Sequence, residues 1–195
     1  MRRAIDYQFT NQNIINTAKQ LFMEEGFKAV TTRQIAKSCH LTQPALYHHF
    51  KDKQAIYLAV LKQITLDIRQ SCAAVDFSQS EIEQVLFQII SIFTQQYPAN
   101  LLMMVHDIMN SMDPSHRQML FDMWENTFVT PFKQLFANWQ ACGILRPDVD
   151  HEASARFCLA AIVPLTSAHF LKLSKNRQSE RMMSVIDFLL HGLVR

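Results

Sequence analysis

Three glycines in 195 residues, Gly26, Gly143 and Gly192, leave this chain few ways to make tight reversals. Hairpin-rich sheet folds use glycine at many turns, so a chain this poor in it is expected to be built from long helices. The apolar spacing agrees. Ile14, Ile15, Ala18, Leu21 and Phe22 fall at offsets 0, 1, 4, 7 and 8, one face of a helix that Gly26 is placed to end. Thr31 and Gln34 have the spacing of a capping box for a short second helix. Thr42 can cap a third, with Pro44 in its first turn, and Asp52 a long fourth carrying Ile56, Val60 and Ile64. After a polar break, Ser80 and Glu83 open a fifth helix that Tyr97-Pro98 ends. A helix through 101–112 follows. Asp113-Pro114 then starts a run to Gly143 that Pro131 should kink or divide. Asp150 caps a run to about Leu173 that contains Pro164. The last helix keeps Met182, Met183, Ile186, Leu189, Leu190 and Leu193 on one face. The expectation is an all-α fold of about nine helices with no sheet.

The charge is uneven. Residues 1–75 hold 10 Lys/Arg against 5 Asp/Glu, and residues 76–195 hold 9 against 12. A basic front end on a mildly acidic body suits a nucleic-acid-binding module joined to a different domain, although chance scatter would give the same balance. Cys39, Cys72, Cys142 and Cys158 have neither metal-ligand spacing nor the look of a disulfide framework, and read as small buried thiols. No metal and no cofactor is expected. Residues 1–13 contain no apolar signal core, and the longest apolar run, 158–165, is too short for a bilayer. A cytoplasmic protein without membrane association is the default.

The stretch TQPALYHHFKDK, residues 42–53, carries the chemistry. On a helix, Leu46 and Phe50 share a face and should pack on the first helix. Pro44, Ala45, His48 and His49 point the other way, with Tyr47 on the flank. Two short helices joined by CHLT, with an outward face of small and hydrogen-bonding groups, make a helix-turn-helix. Gln43 suits a bidentate bond to adenine, and Pro44 and Ala45 can pack on a thymine methyl. Tyr47, His48, His49 and Lys53 offer donors to phosphates. A metal bound by His48 and His49 fails on geometry, since adjacent helical residues diverge by about 100°. The alternative that both are solvated surface residues stays open.

From Thr31 to Lys53 the chain resembles the DNA-reading segment of the tetracycline-repressor (TetR) family, and AKQLFMEEGFKAVTT before it is similar to that family's first helix and loop. The resemblance covers about 45 residues and centres on Leu46-Tyr47-x-His49-Phe50-x-x-Lys53. It implies that Arg33 and Gln43 read bases, that Thr32, Tyr47, His49 and Lys53 hold the backbone, and that His48 does either. Thr42, Pro44 and Ala45 complete the expected DNA face. Two residues depart from the family pattern. His40 stands at a turn position usually occupied by Gly, and Ala45 replaces a residue that often carries a hydroxyl.

Residues 1–53 are therefore expected to be the DNA-binding domain, a fourth helix over 53–75 the connector, and 76–195 a helical effector-binding and dimerisation domain. Six methionines lie between Met103 and Met123. Met103, Met104, His106, Met109, Met123, Trp124, Phe128 and His169 are candidate lining for an apolar or aromatic effector, but the same stripe can serve as ordinary core. Small residues including Ala161 and Ala168, with Met183, Ile186, Leu190 and Leu193 of the last helix, are candidates for a homodimer interface; packing within one chain is the other reading. The expected function is a ligand-responsive regulator, a repressor that binds a palindromic double-stranded DNA operator as a homodimer and leaves it when a small molecule binds. The alternatives are a helical carrier or enzyme with an incidental helix-turn-helix, and a constitutive DNA-binding protein without effector. No nucleophile elbow, glycine-rich phosphate loop or His/carboxylate pattern supports an enzyme.

Overall fold

The computed structural model describes residues 2–75, 81–96 and 114–193. The fold is all-helical. It contains α1 (Arg2–Ala29), α2 (Thr32–Ser38), α3 (Gln43–His49), α4 (Lys53–Ala73), α5 (Ile82–Gln96), α6 (Pro114–Trp124), α7 (Thr130–Ala141), α8 (His151–Ile162), α9 (Ala168–Leu171) and α10 (Lys175–Leu193). Contacts divide the chain into two compact units, with boundaries inside α4, between Ile64 and Thr65, and inside α6, between Arg117 and Gln118.

The first unit contains α1, α2, α3, the first half of α4 and the start of α6. Helix α1 starts at Arg2, three turns before its apolar stripe begins. Gly26 breaks it with φ 83° and ψ 162°, a backbone conformation that favours a residue without Cβ. The expected face is the buried one. Ile14, Ala18 and Phe22 lie fully inside, as do Ile56, Val60 and Ile64 of α4. Phe22, Phe27 and Tyr57 form an aromatic cluster whose ring centroids are 4.6 to 5.8 Å apart.

In the second unit, Val85, Leu86, Ile89, Ile90 and Phe93 of α5 are buried. Between α6 and α7 the backbone makes one π-helical turn, Glu125–Val129, in which the Thr130 N–H donates to the Glu125 carbonyl five residues back. Pro131 has no N–H to continue a regular ladder, so the expected division takes this form. Gly143 stops α7 at φ 73°, with the Ile144 N–H on the Trp139 carbonyl at 2.8 Å. Asp150 caps α8 by accepting from the Glu152 and Ala153 N–H groups at 2.9 and 3.1 Å. The single run expected from Asp150 to about Leu173 is instead α8, a 3₁₀ turn Val163–Thr166 around Pro164, and the short α9. Along α10, Met182, Ile186 and Leu189 are buried within their own chain.

Candidate nucleic-acid interface

Helix α2 is opened by Thr31, whose Oγ1 accepts from the Gln34 N–H at 3.1 Å. Only this half of the expected capping box forms, because the Gln34 carboxamide donates to the Glu25 carboxylate instead. Helix α3 is opened by Thr42, whose Oγ1 accepts from the Ala45 N–H at 3.3 Å. Pro44 lies in the first turn, where its missing N–H costs nothing. Between the helices, His40 takes φ 57°. Its N–H bonds the Lys37 carbonyl at 3.1 Å and the Leu41 N–H bonds the Ala36 carbonyl at 2.8 Å. These two bonds close the end of α2 as glycine usually does, so the departure at His40 keeps the tight turn, at some conformational cost.

Within α3, Leu46 alone is fully buried, while Gln43, Pro44, Tyr47 and His48 are exposed and Ala45 and His49 are half-buried. Phe50 leaves the helix with an extended backbone and is half-buried. Arg33 is exposed on α2 and Thr32 half-buried beside it. The Thr32 Oγ1 and Tyr47 hydroxyl are 3.2 Å apart, which joins the start of α2 to the flank of α3. The structure thus gathers Thr32, Gln43, Pro44, Tyr47 and His48 on one module. The His48 and His49 rings are 5.9 Å apart and nearly perpendicular. Among the described residues no group of three or more His, Cys, Asp or Glu could hold a metal. No described helix is long and apolar enough to cross a membrane.

Lys53, expected on a phosphate, also has partners within the fold. Its Nζ donates to the Phe27 and Val30 carbonyls at 2.8 and 2.9 Å and stands 4.3 Å above the Phe27 ring. It ties the broken end of α1 to the start of α4, where Asp52 caps the helix through the Ala55 N–H at 2.7 Å. The sequence carried no signal for this, because the carbonyls become available only once Gly26 interrupts α1. Tyr7 was also unforeseen. Its ring stacks on His49 at 4.3 Å and 22°, and it meets His48 edge-on at 6.1 Å. Burial lowers the His49 pKa, and repulsion from His48 adds to the effect.

In the body, the candidates Met103, Met104, His106 and Met109 lie outside the described residues. Phe128 is buried core, packed on Trp124 at 4.5 Å and Phe93 at 5.7 Å. Met123 and Trp124 are half-buried and His169 is exposed. A cavity of about 540 Å³ opens elsewhere, between the last turns of α4 and the π turn with α7, lined by Leu66, Arg69, Gln70, Asn126, Gln134 and Asn138 among others. Of the interface candidates, Ile186 is 0% exposed and packs in its own chain, so it is core. Met183 is exposed, and Ala161 and Leu190 are half-buried. Outward apolar residues that periodicity did not reveal include Phe157 and Phe188, 50% and 67% exposed with ring centroids 6.5 Å apart.

Comparison with known proteins agrees with this module. A family model described as bacterial regulatory proteins, tetR family, matches residues 14–60. The transcriptional regulator UidR of Escherichia coli K12 is 39% identical over 56 residues, 29% of this chain and 29% of that protein. The match therefore spans less than a third of the curated relative's length. Two solved structures share the fold over nearly the whole chain. GusR of Salmonella enterica has a TM-score of 0.71 at 22% identity, covering 93% of this chain and 94% of its own. AibR, solved with isovaleryl coenzyme A and operator DNA, has a TM-score of 0.68 at 16% identity, covering 90% and 96%. Residues 14–60 thus match the helix-turn-helix segment of the tetR family of bacterial regulatory proteins.

Proposed function

We propose that this protein is a homodimeric, DNA-binding transcriptional regulator without enzymatic activity that works in the cytoplasm, a repressor that holds a palindromic operator and releases it when a small molecule binds the body. The observation that carries the reading is the split of α3. Leu46 anchors it, while Gln43, Pro44, Tyr47 and His48 face outward with no apolar cover to need. A helix anchored on one side and polar on the other can enter a major groove with its N-terminal residues on base edges. Arg33 and Gln43 are the base readers. Thr32, Tyr47, His48 and His49 serve the backbone, and Lys53 positions the module from behind.

The dimer reading is supported by the exposed Phe157, Met183 and Phe188 on α8 and α10, apolar surface that a second copy would remove from water. The effector reading is supported by AibR, whose complex holds a ligand as well as operator DNA. The cavity beside Arg69 and Asn126 is of a size that takes a small ligand with an apolar body and hydrogen-bonding edges.

Selection of bound sites from random DNA, followed by mobility shifts on the recovered sequence, tests the reading. A palindrome with half-sites about one helical turn apart is expected. Arg33→Ala or Gln43→Ala should each cost about 1–3 kcal/mol on that site and relax the preference at one position per half-site. Failure to recover any bound sequence would leave the helix-turn-helix incidental.

A further inference from the structure

The cavity of about 540 Å³ lies within the second unit, and its walls are ordered. One wall is α4, where Leu66, Arg69, Gln70 and Ala73 stand at offsets 0, 3, 4 and 7, one helical face. The other wall runs through the π turn into α7, where Asn126, Thr130, Gln134 and Asn138 follow one another every four residues. On a regular α-helix such a row drifts by about 120° from first to last. The π turn adds a residue to one turn and takes back part of that drift, which keeps Asn126 on the same wall as Asn138. An inserted turn of this kind often marks a functional site. Its other side is held in place, because Glu125 pairs with Arg156 of α8 at 2.9 Å.

Arg69 is exposed and has no ion pair or hydrogen bond among the described residues, and neither do the side chains of Gln70, Asn126, Thr130, Gln134 and Asn138. By contrast, Gln118, Gln140 and Gln178 of the same unit each bond within the chain. No carboxylate stands among the described lining residues. Glu125, next to Asn126, is taken by Arg156, and Asp67 lies about 200° around α4 from Arg69. The guanidinium is therefore unopposed, and a guanidinium matches a carboxylate through two parallel hydrogen bonds. A side-chain amide both donates and accepts, as a hydroxyl does, so the amide row suits a ligand edge that carries hydroxyl groups. Leu66 and Leu135 supply an apolar patch in the same cavity. We propose that the cavity takes a hydroxylated organic acid, with its carboxylate on Arg69, its hydroxyl groups along the amide row of α7 and a short apolar part against Leu66 and Leu135. This rests on the reading of the cavity as the effector site, and it names the chemical class that the site selects.

The test screens the full chain by thermal shift against hydroxylated monocarboxylic acids and, in parallel, the primary amide of each acid. Acids should raise the melting temperature and their amides should not. Calorimetric titration of the best acid then compares variants. Arg69→Gln should weaken it by about 10- to 100-fold, the loss expected for a charged two-bond contact. Arg69→Lys keeps the charge without the fork and should fall between Arg69→Gln and wild type. Gln134→Leu and Asn138→Leu should each weaken the same acid by about 5-fold, the size of one neutral hydrogen bond. Arg69 is exposed, and a melt of each variant without acid checks that the body folds. The proposal falls if no acid binds, if acids and amides bind alike, or if Arg69→Gln binds the acid as wild type does. Amides or other neutral compounds that release operator DNA would overturn the acid and leave the effector reading intact. An acid that binds through Arg69 yet leaves DNA affinity unchanged keeps the site and removes the effector reading.

Discussion

The hydroxyls of Thr32 and Tyr47, 15 positions apart in sequence, meet at 3.2 Å on the exposed side of the helix-turn-helix. The pair joins the flank of α3 to the first turn of α2 and sets two hydroxyls side by side on the exposed surface. An exposed hydrogen bond of this kind contributes about 0.5–1.5 kcal/mol at most to folding. Tyr47→Phe should therefore leave the melting temperature nearly unchanged and weaken operator and random DNA by equal factors. A loss confined to the operator would move Tyr47 from the backbone to the bases.

Lys53 gives the opposite pattern. Its ammonium group bonds two carbonyls at the end of α1, and bonds to a charged donor contribute about 1.5–3 kcal/mol each. Lys53→Met keeps much of the stem and removes the donors. It should lower stability by about 3 kcal/mol or more in chemical denaturation while the salt slope of DNA binding stays as in wild type. A slope flattened by about one unit with unchanged stability would return Lys53 to a phosphate.

The parts of this fold that were legible in the sequence are those fixed by neighbours in the chain. Thr31, Thr42, Asp52 and Asp150 all cap the helices they precede, because a cap needs only the next two or three residues. Gly143 ends α7 for the same local reason. Position 40 was readable as a strained turn, and His40 does adopt the left-handed conformation. What distant residues decide was not legible. Periodicity grouped Ile186 and Met183 on one face of the last helix, yet Ile186 is covered by its own chain and Met183 is not. The start of α1 at Arg2 was hidden because Tyr7 meets its partner, His49, 42 positions later. The carbonyl partners of Lys53 were not legible because they depend on the break at Gly26.

His49 links the site to acidity. Its pKa in the folded protein lies below the ordinary 6.5, chiefly through burial. Above about 6.5 the ring is neutral in both folded and unfolded chains, and its contribution to stability is complete. As pH falls below that value the unfolded chain takes up the proton first. Stability is then lost until the folded-state pKa is passed. The melting temperature of wild type should drop between pH 7 and pH 5.5 more than that of His49→Gln, which cannot titrate. Parallel curves for the two proteins would show that His49 is as free to protonate when folded as when unfolded.

Ile186 and Phe188 separate folding from assembly, two positions apart on α10. Ile186 is fully buried in its own chain, so Ile186→Asp encloses an unpaired carboxylate and should unfold the body. Phe188 stands outward with Phe157 beside it. Phe188→Asp leaves the single chain's core untouched, and its helical circular dichroism should match wild type. If these rings meet a second copy, the new carboxylates are forced into an apolar contact, which is costly when they are unpaired. Sedimentation of Phe188→Asp should then give monomers where wild type gives dimers. Its affinity for a palindrome should fall toward that for a single half-site. Phe157→Ala, a milder change on the facing ring, should raise the dimer dissociation constant without abolishing it. Wild-type dimers that persist in Phe188→Asp would place the interface on another face of the body.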